Sequence, residues 1–146
     1  MELTEGDVVD YDHVRKRINE IGKQYHIRGI AADRWNSTQL ITQLAGDGFE
    51  VVPFGQGFAS MSAPSKKLET LIIHQTIIHD GNPVMNWCIS NATAKRDCAD
   101  NIKPIKDGSK NRIDGVVGMV MALGLAIQAE ILKQSTYETS DIKVYG

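Results

Sequence analysis

The sequence is poor in aromatic residues and carries no excess of basic charge. Phe, Trp and Tyr make up 6% of its 146 residues, so a wide aromatic platform for stacking bases is not expected. Its 16 basic and 18 acidic side chains give a formal net charge of -2. A protein with this charge contacts nucleic acid through a local basic patch and not through its overall field.

Cysteine and long apolar runs are also scarce. Cys88 and Cys98 are the only cysteines and form no CxxC pair, which favours neither a zinc site nor a disulfide scaffold and indicates a reducing compartment. The first residues are acidic and polar, unlike a secretory signal peptide. The most apolar stretch, residues 114–132, is interrupted by Gln128 and Glu130. A buried helix is therefore expected there instead of a membrane span.

The chain has the length and composition of one globular domain, and with 42% hydrophobic and 23% charged residues it can bury a core. Asp10 and Asp12 offer carboxylates for the N-terminus of an amphipathic helix that ends near residues 22–25. After it, a short buried strand, a helix and a second strand follow with short links. These segments lie at 27–32, 36–46 and 49–54. Their order predicts a βαβ unit with parallel strands.

The second half is predicted to be mainly helical. Pro64 is placed at the start of a third helix, a position that accepts proline. Its apolar face is predicted to include Leu68, Leu71, Ile72, Gln75 and Ile78. A short helix at 83–89, a hairpin within 91–106 around residues 100–101, and a last helix from Asp114 follow. The last helix is predicted to bury Val117, Val120, Met121, Leu125 and Ile131. The predicted domain is 1–134, followed by a polar, loose tail at 135–146.

Two carboxylates carry the candidate chemistry. Asp33 follows a predicted buried strand, where parallel α/β folds build their sites, and Asp114 opens the last helix behind a basic loop. If both meet at one edge, their like charges must be stabilised by protonation or by a divalent cation, and oxygen ligands suit Mg²⁺. Each acid also has a purely structural explanation, because carboxylates stabilise helix N-termini.

Other chemistry finds little support in the spacing of residues. His74 and His79 are five apart and do not form the HExxH zinc pattern, so surface or loop roles are expected. The glycines at 55 and 57 lack the Lys-Ser/Thr pair of a phosphate-binding P-loop. The spacing also provides no Ser/His/Asp or Cys/His arrangement.

Five segments together resemble the C-terminal nuclease region of the large terminase subunit of tailed phages. They are GDVVDYD at 6–12, IAADRWNSTQL at 30–40, VPFGQGFASMS at 52–62, GNPVMNW at 81–87 and RIDGVVGMVMA at 112–122. No single segment is decisive, but five in this order are specific. The resemblance implies a partial ribonuclease H-like fold, with a short mixed or parallel sheet flanked by helices.

The resemblance also implies a function. Asp33 and Asp114 match catalytic acids of the family that bind Mg²⁺ or Mn²⁺ at a two-metal site. Such an enzyme cuts concatemeric double-stranded DNA in the cytoplasm of the bacterial host, away from any membrane. The terminase small subunit and the portal are further implied partners. The separate ATPase domain that drives packaging is not in this sequence, so the chain is not expected to pump DNA.

One departure from the family pattern bears on activity. The family's first catalytic acid lies on a strand ahead of the first helix, whereas Asp7, Asp10 and Asp12 fall in the lead and cap of that helix. The sequence therefore resembles a fragment with little or no cleavage, and a remnant that only binds DNA or a partner is the alternative. Missing strands would leave an open sheet edge and favour self-association. A small binding domain whose acids are helix caps is a third reading.

Contact with DNA is predicted at four basic residues ahead of and beside the last helix. They are Lys103, Lys106, Lys110 and Arg112. Such cations contact phosphates without reading the base sequence, and their binding weakens with salt. A solvated basic loop explains the same residues equally well.

Overall fold

The structure is a computed structural model that describes residues 9–33, 38–108 and 111–140, with side chains described as far as 132. Two compact units divide the chain, Met1–Gln56 (unit 1) and Gly57–Gly146 (unit 2). Unit 1 contains α1 (Tyr11–Gln24), β1 (Ile30–Ala32), α2 (Thr38–Gly46) and β2 (Val51–Pro53). Unit 2 contains α3 (Phe58–Ile73), α4 (Pro83–Ser90), β3 (Ala92–Arg96), β4 (Ile102–Lys106) and α5 (Asp114–Ser140).

The first helix begins where its sequence predicts. The carboxylate of Asp10 is the N-cap and accepts from the backbone N–H groups of Asp12 and His13, at 2.9 and 3.0 Å. These bonds satisfy donors that the helix itself leaves unpaired. Asp12 lies in the first turn, so both acids serve the helix start as predicted. Asp7 lies outside the described residues.

The two strands of unit 1 form the predicted parallel pair. Ile30 lies opposite Val51 and Ala32 opposite Pro53, and the N–H of Phe54 donates to the carbonyl of Ala32 at 2.8 Å. Each strand has only three residues, fewer than predicted. Leu44 from α2 and Phe54 after β2 are the buried apolar side chains in the described part of this unit. The carboxyl ends of β1 and β2 thus lie side by side.

The placement of Pro64 at a helix start was wrong. The helix α3 begins at Phe58, and Pro64 lies inside it, buried together with Met61 and Ser62. Proline inside a helix removes one backbone hydrogen bond, and burial of the preceding turn offsets this cost. The helix also ends earlier than predicted, at Ile73. Gln75 follows with a φ of 53°, and Ile78 is 97% exposed, so neither belongs to a helical apolar face.

The hairpin within 91–106 is confirmed, as is the short helix α4 before it. Asn82 caps α4 by accepting from the N–H groups of Val84 and Met85. The strands β3 and β4 pair antiparallel, with Ala92 opposite Lys106 and Arg96 opposite Ile102. The turn between them contains Asp100 at a φ of 63°. This left-handed residue lets a five-residue connection close the hairpin.

The last helix begins at Asp114 as predicted. Val116, Val120 and Met121 are buried on it, whereas Ile131 is 58% exposed, so the prediction that Ile131 is buried was wrong. The helix also extends past the predicted boundary at 134 to Ser140, and 141–146 lie outside the described residues. Its segment Asp114–Leu132 has a mean hydropathy of 1.9, which by length and composition alone would suffice to cross a membrane.

The fold class is α/β, as the sequence predicts. In the described part of the chain the strands form two separate two-stranded sheets, one parallel and one antiparallel. Each sheet has helices packed against it within its own unit.

Candidate functional site

Asp33 lies at the carboxyl end of β1, directly after Ala32. The side-chain amide of Gln56 donates to its carboxylate at 2.8 Å. Gln56 follows β2, so the parallel pairing of the two strands brings both residues to the same sheet edge. Gln56 was not predicted from the sequence, although a polar residue just past the second strand of a βαβ unit was the available signal.

The alternative role of Asp33 as a helix-start carboxylate stays a prediction. Helix α2 begins at Thr38, and its first turn contains no acidic residue. The intervening residues 34–37, which include the start of the helix predicted at 36–46, lie outside the described part of the chain. Asp33 lies at the end of β1, where its carboxylate accepts from the amide at the neighbouring strand end.

Asp114 lies in the first turn of α5 and is exposed. The backbone around it is fixed from both sides. Ile113 is buried, and the carbonyl of Arg112 accepts from the side chain of Asn91 at 3.2 Å. A Cβ on Gly115 would lie 3.2 Å from the sulfur of Met85, so the first turn of α5 approaches α4 closely. This packing holds the carboxylate at the surface of unit 2.

The two acids belong to different units, so their joint action on one ion stays a prediction. Their carboxylate oxygens are the donors that a hard divalent cation prefers, and in this respect the residues fit the predicted metal. Among the described residues, however, His, Cys, Asp and Glu form no group of three or more that could hold an ion.

Three of the four predicted DNA-contacting cations are described. Lys106 at the end of β4 and Arg112 before α5 are exposed. Lys103 is half-buried, and its ammonium lies 5.2 Å from the centre of the Phe58 ring, a distance that permits a cation–π interaction. Lys110 lies outside the described residues.

A further ionic cluster joins the hairpin to α3, and the sequence analysis missed it. Asp100 forms ion pairs with Arg96 and, at 3.2 Å, with Lys66. Hydrogen bonds from Arg96 and then from Lys66 lower the pKa of Asp100. The carboxylate thus pairs with two basic side chains near the turn and neutralises the equivalent of one of their charges. The left-handed conformation of Asp100 gave no recognisable sequence signal.

The two histidines singled out in the sequence have surface positions, as expected. His74 is the C-cap of α3. The Nδ1 atom of His79 accepts from the N–H of Gly81 at 3.1 Å in an exposed loop. Neither contact places its histidine in a group of metal ligands.

Comparison with known proteins identifies relatives of the whole chain. The family model for the terminase large subunit, endonuclease domain, matches residues 1–130. Protein YmfN of Escherichia coli (strain K12) is 34% identical over 146 residues, which are 99% of this chain and 31% of that protein. The large subunit of the terminase of Enterobacteria phage HK97 is 35% identical over 136 residues, covering 92% of this chain and 27% of that protein.

Solved structures agree with the sequence relatives. The crystal structure of the HK97 bacteriophage large terminase superposes with a TM-score of 0.75 at 35% identity, covering 84% of this chain and 26% of that chain. The large terminase nuclease from thermophilic phage G20c has a TM-score of 0.64 at 14% identity, covering 80% of this chain and 63% of that chain, and it supports the fold alone. The chain spans 31% and 27% of the lengths of the two sequence relatives.

The predicted ribonuclease H-like fold class is confirmed by these terminase neighbours. The match over residues 1–130 covers Asp33, Gln56, the hairpin and Asp114 together. The chain therefore belongs to the family of terminase large subunit endonuclease domains.

Proposed function

We propose that this chain is the metal-dependent endonuclease region of a phage-type terminase large subunit, which cuts concatemeric double-stranded DNA during packaging. The observation that carries the proposal is the family match to the endonuclease domain over residues 1–130. We place this activity in the cytoplasm of the bacterial host, where replicated phage DNA is packaged.

In this proposal Asp33 and Asp114 are the metal ligands, with Mg²⁺ or Mn²⁺ as the ion. The chemistry that such ions supply when bound is Lewis-acid activation of a phosphodiester and of the attacking water. Gln56 orients the Asp33 carboxylate through its 2.8 Å hydrogen bond. The contacts of Asn91 and Gly115 hold the start of α5, so Asp114 is presented from a fixed backbone.

Binding of DNA in this proposal depends on cations that contact phosphates. Lys103, Lys106 and Arg112 supply three of them, and Lys110 is the fourth. Because these contacts release counterions, binding should weaken steeply with salt and show little preference for base sequence. The small subunit, the portal and a second copy of this chain are further proposed partners.

A second candidate is a catalytically incomplete terminase module that binds DNA or a partner without cutting. The observation that favours it is the lack of a three-residue ligand group among the residues that the structure describes. A two-metal site with two protein carboxylates would hold at least one ion loosely. The two candidates share DNA binding and differ in cleavage.

Nicking of supercoiled plasmid by the 146-residue chain, in Mg²⁺ and in Mn²⁺, separates them. The endonuclease proposal expects cleavage that EDTA and Asp114→Asn abolish. Asp107→Asn is the matched control, because Asp107 is also an exposed aspartate close to the start of α5, and it should leave cleavage unchanged. Absence of nicking by protein with folded-state circular dichroism would reject the endonuclease proposal for this chain. DNA binding without nicking would then support the module.

A further inference from the structure

Two lysines lie directly opposite each other in the hairpin of unit 2. The register of β3 and β4 pairs Lys95 with Lys103. Residues directly opposite in an antiparallel pair project from the same face, with Cβ atoms about 5 Å apart. The hairpin therefore presents two lysine side chains from neighbouring positions on one face. Of these two residues, the sequence analysis had selected only Lys103.

This arrangement works against the stability of the hairpin. Like charges directly opposite each other in a sheet repel, whereas opposite charges at the same positions attract. The Lys103 ammonium is held over the Phe58 ring, which limits how far it can move from its neighbour. Fold stability therefore does not account for the choice of a second lysine at position 95.

The nearby cations differ in how their charge is compensated. Arg96 and Lys66 both form ion pairs with Asp100, so these two cations share one negative charge of the turn. The side chain of Lys95 is exposed and makes no ion pair or hydrogen bond with any residue that the structure describes. An uncompensated charge next to another lysine attracts an anion from outside the chain.

We propose that Lys95 and Lys103 together form a phosphate-binding face of the hairpin (the lysine pair), and that its ligand is the backbone of double-stranded DNA. A phosphodiester strand carries regularly spaced negative charges, so neighbouring phosphates, or one shared phosphate, relieve the repulsion between the two ammonium groups. The inference rests on the proposed DNA-binding function and adds Lys95 to it. Charge complementarity between a polyanion and the pair selects this ligand.

Protection of a sheet edge is the competing explanation for Lys95. Charged side chains, lysine above all, discourage exposed strands from pairing with other chains. Edge protection requires a charge of either sign, whereas phosphate binding requires a positive one. The substitution Lys95→Glu separates the two, because it keeps a charge on β3 and places it opposite Lys103.

The experiment measures binding of a fluorescent DNA duplex to the 146-residue chain in EDTA, between 50 and 200 mM salt. Loss of one phosphate contact reduces the slope of log K against log salt by about one and lowers affinity about tenfold near 0.1 M salt. Lys95→Gln should show this loss, and Lys95→Glu at least as much. Thermal unfolding of Lys95→Glu should occur at the same or a higher temperature, since it replaces a repulsive pair by an attractive one.

Lys67→Glu is the matched control, because Lys67 is exposed on α3 of the same unit and the charge change is identical. If Lys95→Glu and Lys67→Glu have the same salt slope, the phosphate-binding role of the lysine pair is overturned, whereas the proposed DNA binding of the chain is not. Wild-type protein without salt-dependent DNA binding overturns both. If Lys95→Glu fails to fold, the test rests on Lys95→Gln. A salt slope of that variant equal to the wild-type slope rejects the inference.

Discussion

The two units of the chain are stabilised in different ways. The described part of unit 1 buries Leu44 and Phe54, and its α1 is joined to the end of α2 by polar contacts. There, Arg15 pairs with Asp47, to which Asn19 also donates at 2.8 Å. Unit 2 buries a larger apolar set: Met61, Leu68, Cys88, Ile102, Ile113, Val116, Val120 and Met121. Unit 2 should therefore be the more sensitive to the loss of side-chain volume, whereas ion-paired carboxylates with a lowered pKa occur in both units.

The largest expected effect is the loss of a core side chain in unit 2. Met61 is 2% exposed and is among the largest fully buried side chains. Met61→Ala should lower the free energy of unfolding by about 2–5 kcal/mol through lost burial and a residual cavity. Hydrogen exchange should show the loss in α3, β4 and α5. Met61→Leu, which conserves volume, should cost less than about 1.5 kcal/mol. Equal effects of the two substitutions would contradict this account.

Two helical glycines, one in each unit, provide a paired test of packing against helix propensity. A Cβ at Gly22 would lie 2.9 Å from two atoms of the Phe49 ring, whereas at Gly118 nothing lies within 4 Å among the residues compared. Alanine improves a helix interior by about 0.5–1 kcal/mol over glycine, but overpacking costs about 1–3 kcal/mol.

The expected outcomes have opposite signs. Gly22→Ala should destabilise by about 1 kcal/mol, because moving the half-buried ring costs more than the helix gains. Gly118→Ala should stabilise by up to about 1 kcal/mol. Denaturant unfolding, monitored by hydrogen exchange in each unit, measures both changes in stability. Stabilisation by Gly22→Ala would show that the ring of Phe49 moves at little cost.

The smallest expected effect is the acid sensitivity of unit 1. Hydrogen bonds from Arg15, and then from Asn19, lower the pKa of Asp47 from 3.8 to about 2. A carboxylate with a lowered pKa stabilises the folded state above pH 4, and this contribution disappears as the pH falls towards 2. The difference in stability between wild type and Asp47→Asn should therefore shrink across this range. A difference that is constant from pH 5 to pH 2 would contradict the assignment.

The sequence predicted those elements whose signals are local. Asp10 marked the start of α1, Pro83 that of α4, and Asp114 that of α5. The parallel strands followed from the order of strand, helix and strand. Local rules failed at Pro64, because the burial of Met61 and Ser62 extends the helix ahead of a residue that usually starts one. Tertiary packing overrode the positional preference of proline.

The contacts around the candidate site depended on information that the sequence shows only indirectly. Asp33 was selected from its place after a strand, yet its partner Gln56 follows from the pairing of β1 with β2. Lys95 lies opposite Lys103 because the connection through Asp100 sets the register. A shift of one residue would place different side chains on that face. The roles of Asp33 and Asp114 as metal ligands stay predictions.

The two free thiols of the chain differ in accessibility. Cys98 is exposed at the tip of the hairpin, whereas Cys88 is buried beneath the start of α5. An alkylating dye in solution therefore meets one sulfur in the folded protein and reaches the other when unit 2 opens. This asymmetry provides a single attachment point for a fluorophore near the lysine pair without any engineered cysteine. The native chain is thus already suited to distance measurements between its hairpin and a labelled duplex.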